Sequence, residues 1–128
     1  MNINTLLVTG SRTHITKAYV YKVLKQYPCS RMRFGDAAGV DTFAHAYCHE
    51  FLIPHDDPWV PNWGVYGKYA GPQRNEAMVA TLSTGDYGVA IWDGSSRGTQ
   101  HTIQLLRQKH RLLGIFPPIK HAIEAYFQ

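Results

Sequence analysis

Short apolar runs alternate with amphipathic stretches along the chain. Residues 5–9 (TLLVT) are nearly continuously apolar and stop at Gly10, as a strand buried on both faces does. In 15–27 (ITKAYVYKVLKQY), Ile15, Ala18, Val20, Val23 and Leu24 fall at helical spacing with the lysines outward, and Pro28 closes the run. Residues 31–34 (RMRF) predict a weaker second strand, 42–51 (TFAHAYCHEF) a helix, and 52–55 (LIPH) a third strand. Proline, tryptophan and glycine then dominate, and 56–71 reads as one irregular segment of the kind that is often functional. Residues 72–82 (PQRNEAMVATL) predict a helix with Pro72 at its opening, 87–92 (YGVAIW) a strand, 99–110 a helix, 112–116 (LLGIF) a last strand, and 117–127 (PPIKHAIEAYF) a short final helix.

Strand and helix repeated without hairpin signals predict an α/β fold, a three-layer α/β/α domain over 1–128 with a mostly parallel sheet. Composition agrees with a globular chain: 128 residues, 45% hydrophobic and 17% charged. Cys29 and Cys48 lack a C-x-x-C spacing, and MNINTLLVTG has neither the basic start nor the long apolar core of a signal peptide, so a reducing cytoplasm is expected. No apolar run approaches the roughly 20 residues that cross a bilayer, and no membrane partner is expected. The formal charge of +4 favours anionic partners in general, but the cations are dispersed rather than gathered in a block.

In an open parallel sheet, ligands bind beyond the carboxyl ends of the strands where the strand order reverses. The predicted strands leave into small or ligand-competent residues there: Gly10, Ser11 and Arg12; Gly35, Asp36 and Gly39; and 94–99, GSSRGT. The last of these places Gly94, Ser95, Ser96, Arg97, Gly98 and Thr99 ahead of a helix whose expected first turn, 99–102, has no acid of its own. Free N–H groups and the helix dipole make such a terminus an anion site, with hydroxyls and Arg97 as further donors. The same stretch reads as an ordinary capped strand-to-helix turn. Asp36 and Asp41 can accept bonds from ribose hydroxyls, while Asp41 reads equally as a helix N-cap. Trp59 is expected to pack the long loop down, whereas Arg74 and Asn75, at the expected helix start, oppose the dipole and hint at use alongside Lys68.

Several chemistries lose support. Neither G-x-G-x-x-G nor G-x-x-x-x-G-K-[ST] occurs, which speaks against hydride transfer and ATP hydrolysis. His45, Cys48 and His49, with His55 downstream, have formally possible zinc spacing but no accompanying metal motif, so no metal is expected. No nucleophile elbow is present, and the catalytic residues are left unassigned.

Taken together, VTGSR, FGDAAGVDTFAHAY, NWGVYGKYAGPQRNEAM and GVAIWDGSSRGTQHTI resemble the YspA-like family of the SLOG superfamily, in the same order from Thr5 to about Ile115. That superfamily includes DNA-processing protein A and the "lonely guy" phosphoribohydrolases. The resemblance implies a Rossmann-like domain binding a nucleotide or a nucleotide-derived molecule such as an ADP-ribose-like compound. It further implies a ligand sensor or processing enzyme of bacterial or phage conflict systems, pairing as a homo-oligomer and requiring no cofactor. On it, Gly10, Ser11, Arg12, Gly35, Asp36, Gly39 and Asp41 line one side of the pocket, Lys68, Arg74 and Asn75 flank it, and Gly94, Arg97, Gly98 and Thr99 form the phosphate turn. One departure bears on catalysis: the glutamate of the phosphoribohydrolase G-T-x-x-E motif is replaced by Thr102, which cannot serve as a carboxylate. Glu76, Asp36 or Asp41 would have to substitute. The alternatives are cleavage or transfer at an N-glycosidic bond of a nucleoside monophosphate and, less favoured, single-stranded DNA binding.

Overall fold

The computed structural model describes residues 2–117. The elements in chain order are β1 (Ile3–Gly10), α1 (Lys17–Leu24), β2 (Cys29–Arg33), α2 (Val40–Phe51), α3 (Trp63–Tyr66), a 3-10 turn (Gly67–Tyr69), α4 (Ala70–Ala80), β3 (Tyr87–Ile91), α5 (Arg97–Gln108) and β4 (Leu112–Phe116). The four strands form one parallel sheet in the order β2-β1-β3-β4. Successive residues of a strand face opposite sides, so β1 serves two cores. Leu6 and Val8, with Val89 and Ile91 of β3, meet Val20, Val23 and Leu24 of α1 and Val40, Ala44 and Tyr47 of α2. Leu7 meets Met78 and Val79 of α4, Leu82 beyond it, and Leu106 of α5. Helices therefore cover both faces, giving the α/β/α sandwich of a Rossmann-like domain.

From β1 the chain crosses through α1 to β2 on one side, and from β2 it returns through α2 and α4 to β3 on the other. The order reverses at the carboxyl ends of β1 and β3, where a crevice opens. Close backbone approach defines that end of the sheet. A Cβ on Gly39 would lie 2.4 Å from the Ser11 carbonyl oxygen, and this residue, at φ +75°, is the one from which α2 starts. Glycine is required by packing and by backbone conformation alike.

Two sequence expectations are corrected here. The strand expected over 52–55 does not form; instead His55 and Trp59 make single parallel bridges to Met32 and Gly35 along the edge of β2. Pro54 has no N–H to donate, so no continuous ladder can propagate through it. Side chains hold the segment in place of a ladder. Asp56 accepts from Arg31 Nε, Arg33 Nε and Trp59 Nε1, and the Arg33 guanidinium lies 4.8 Å from the Trp59 ring centre. Burial alone would raise the Asp56 pKa, but the bonds from Arg31, Trp59 and Arg33 hold it below the usual value.

The second correction concerns 56–71, which is not wholly irregular. The Asn62 side chain accepts from the Val65 amide at 3.2 Å and caps α3, and the 3-10 turn runs directly into α4 at Ala70. Pro72 is the third residue of α4, a position whose N–H has no intrahelical partner to lose. Helix α1 is shorter than expected, closing at Leu24, with Thr16 as its cap. The helix expected over 117–127 lies, apart from Pro117, outside the described residues.

Candidate functional site

The crevice contains an inner cavity of about 60 Å³ that adjoins an outer one of about 330 Å³, the two sharing Arg12, Arg74, Asn75 and Gly98 on their walls. Gly10, Gly35, Asp41, Ser96 and Thr99 also border the inner cavity, and Arg97, Pro72 and His101 the outer one. Three loops and two helix starts distant in sequence thus meet at one rim of the sheet. The inner cavity admits no more than a small polar group, whereas the outer falls within the about 300–1,000 Å³ typical of small-molecule sites.

Other candidates lie elsewhere. Ser11 is fully buried: its Oγ accepts from the Asp93 amide at 2.8 Å, its N–H donates to Ile91 O at 2.9 Å, and its carbonyl accepts from Val40 N–H at 3.1 Å. It ties β1, β3 and α2 together and borders neither cavity. Gly39 belongs to the same junction. Lys68 sits on the 3-10 turn with its ammonium 5.2 Å from the Tyr69 ring centre, away from both cavities. Gly94 and Ser95 are exposed on the outside of the turn.

Arg74 and Asn75 fall in the second turn of α4, because that helix starts at Ala70, so the unfavourable dipole placement expected for them does not arise. Their contacts are internal. Arg74 donates from Nη1 to Trp59 O at 2.8 Å and to Asp36 Oδ1 at 3.1 Å, and from Nε to Asn75 Oδ1 at 3.0 Å. Asn75 Nδ2 in turn reaches Gly98 O at 3.4 Å, bridging α4 to α5. Gly35 permits this assembly, since a Cβ there would stand 2.6 Å from Arg74 Nη1 and 2.8 Å from Asp41 Oδ2.

The glycine turn carries its own anion. Asp93 Oδ1 accepts from the amides of Ser95 at 2.9 Å and Ser96 at 3.0 Å. Burial would raise its pKa, yet those two amides together with the Ser11 and Ser95 hydroxyls keep it below the ordinary value. Helix α5 begins two residues earlier than expected, with Ser96 as its cap accepting from Thr99 N–H at 3.4 Å. The first turn does lack an acid, as read from the sequence, but Asp93 supplies the carboxylate from just upstream. What stays open is narrower: the amides of Arg97 and Gly98 have no acceptor among the described residues. Arg12 and Arg97, both exposed, form no ion pair among the described residues and flank that opening.

Asp41 is the buried acid of the site, with 8% of its surface exposed. It is not an N-cap: α2 is preceded by Gly39, and Asp41 Oδ2 instead accepts from the Ala37 amide at 3.1 Å. Oδ1 accepts no hydrogen bond from the described residues. Burial pushes its pKa from 3.8 up to about 6, against the lowering effects of the Ala37 amide and the Arg74 charge. Asp36 is far more open and paired to Arg74; it borders a side cavity of about 150 Å³ that Asp41 and His45 also line.

The remaining chemistry-bearing groups are dispersed. Thr102 is buried and donates to Gly98 O at 3.2 Å within α5. Glu76 is largely exposed, 3.9 Å from His101 Nε2. His45 stacks near His55 and Phe34, but Cys48 turns into the core, 3.4 Å from Met32 Sδ, where burial pushes its thiol up to about 12. No group of three or more His, Cys, Asp or Glu side chains is placed to hold a metal ion among the described residues. No helix among them is long and apolar enough to cross a membrane.

Sequence reasoning missed Asp93, His101 and the structural role of Ser11. A signal for Asp93 existed, because Asp followed by Gly-Ser at a strand end is an Asx-turn pattern in which the side chain binds backbone two residues on. Compared with protein-family models, curated proteins and solved structures, the chain finds no match.

Proposed function

We propose that this protein binds a nucleotide-derived small molecule of the ADP-ribose type, its anionic part held at the outer rim of the crevice. The observation that carries this reading is the pairing of two uncompensated guanidinium groups, Arg12 and Arg97, with two open amides at the start of α5. Charge-assisted bonds from guanidinium and helix-terminal N–H groups are the ordinary means of holding phosphate. The outer cavity has room for more than a phosphate, and Pro72, His101 and the arginine stems offer surfaces against which a base can lie. The resemblance to the YspA-like family supports the same ligand class, with a homo-oligomer in the cytoplasm as its setting.

Calorimetric titration with ADP-ribose and AMP tests the reading. Arg97→Ala is expected to weaken binding at least tenfold. Gly98→Val is expected to block it without unfolding, since a Cβ at Gly98 meets nothing within 4 Å. Unchanged affinity in both folded variants, or no binding by the parent protein, would overturn the reading. The buried Asp41 carboxyl favours a second reading, acid–base cleavage of an N-glycosidic bond, which predicts release of free base from a nucleoside monophosphate and loss of that release in Asp41→Asn.

A further inference from the structure

Resting on the reading above, we propose that the ligand enters with an uncharged, hydroxyl-bearing end innermost, donating to Asp41, and that its capture is linked to the loss of a proton from that residue. Three observations carry this. The inner cavity is walled by a carboxyl nine-tenths buried whose Oδ1 has no donor among the described residues, so a donor from the ligand would complete it. The glycine turn that borders this cavity through Ser96 has its Ser95 and Ser96 amides already taken by the Asp93 carboxylate, so those donors are not free to hold a phosphate there. Of the cations without ion-pair partners, Arg97 stands at the outer cavity and Arg12 on the wall that both cavities share, while Arg74, on the same wall, is neutralised by Asp36.

Charged and titratable groups face Asp41 from several elements. Arg12 comes from the β1–α1 loop, Asp36 from the β2–α2 loop, Arg74 from α4, and His45 lies one turn along α2 on the shared side cavity. His101 of α5, at the outer cavity, is the other titratable group in the crevice. A hydroxyl bonds the carboxylate more strongly than the neutral acid, so binding favours ionised Asp41 and releases a proton. Affinity therefore rises with pH until Asp41 is ionised in the free protein. His101→Gln is therefore the control that separates the imidazole of the outer cavity from Asp41.

The test is calorimetry with ADP-ribose from pH 5 to 7.5, in two buffers of different ionisation heat so that released protons are counted. The same series is run on Asp41→Asn and His101→Gln, with inorganic sulfate, which neither carries a hydroxyl-bearing end nor titrates in this window, as a second probe on the parent protein. ADP-ribose is expected to bind about tenfold more weakly at pH 5 than at pH 7.5, with proton release near pH 6. The rise is expected to persist in His101→Gln and vanish in Asp41→Asn, and sulfate is expected not to show it. Binding without pH dependence, an affinity that falls as pH rises, a rise shared by sulfate, or a rise abolished only by His101→Gln each overturns the orientation while leaving the binding reading intact. Absence of binding at every pH overturns both.

Discussion

Replacing Asp41 by asparagine is expected to stabilise the unliganded protein at neutral pH. The carboxyl is held at about 6 in the fold against an ordinary 3.8, chiefly by burial. Protonation therefore favours the folded state, and the ionised form is penalised. Each pKa unit is worth about 1.4 kcal/mol, so the penalty is absent below pH 4, grows between pH 4 and 6, and reaches about 3 kcal/mol above that. Asparagine keeps an oxygen for the Ala37 amide and never ionises. Urea and thermal denaturation of both proteins between pH 4 and 8 give the comparison, and their difference cancels every other titrating group. The gap is expected to open by about 3 kcal/mol across that window, equivalent to about 10 °C in Tm for a chain of this size. A gap that stays constant with pH, or that closes as pH rises, would refute the claim that Asp41 is a strained acid. On the proposed function, such a cost is an exchange of stability for binding.

Gly88→Ala places a Cβ 2.5 Å from Leu106 Cδ1, and because Leu106 is fully buried it cannot turn away; a loss of about 1–3 kcal/mol is expected from urea midpoints. Leu52 ends α2 in the left-handed region at φ 55° with 88% of its surface exposed, so Leu52→Gly removes strain without losing burial and is expected to gain about 0.5–1 kcal/mol in the same assay. Asp93→Ala strands the amides of Ser95 and Ser96 at a cost of about 1–3 kcal/mol, part of which sulfate is expected to restore beyond its effect on the parent protein, as read by thermal denaturation.

Much of the fold was legible because it rests on local patterns. The apolar run of β1, the amphipathic spacing of α1 and the glycine that ends β1 are written in consecutive residues, whereas the strand order β2-β1-β3-β4 was set by packing. The convergence of Arg12, Gly35, Asp41 and Gly98 on one crevice followed from the strand ends, whereas Arg74 was placed beside it only by the family resemblance. Less legible was the segment 52–71, where Pro54 exchanges a ladder for side-chain anchors and where α4 begins before the proline taken to open it.

Residue types and their spacing were enough to establish which segments become strands and helices and which chain ends carry donors, because backbone propensity and apolar periodicity act over a few neighbours. Whether those donors are spent was decided by contacts between residues far apart. Ser11 is consumed by the Asp93 amide 82 positions away, and Arg74 by Asp36 at a separation of 38. Asp41, close to Ala37 in the chain, owes its raised pKa first to burial beneath elements from the rest of the molecule. Hydrogen-bond occupancy and desolvation are properties of the packed whole, and they alone separate the open amides of Arg97 and Gly98 from the filled ones of Ser95 and Ser96.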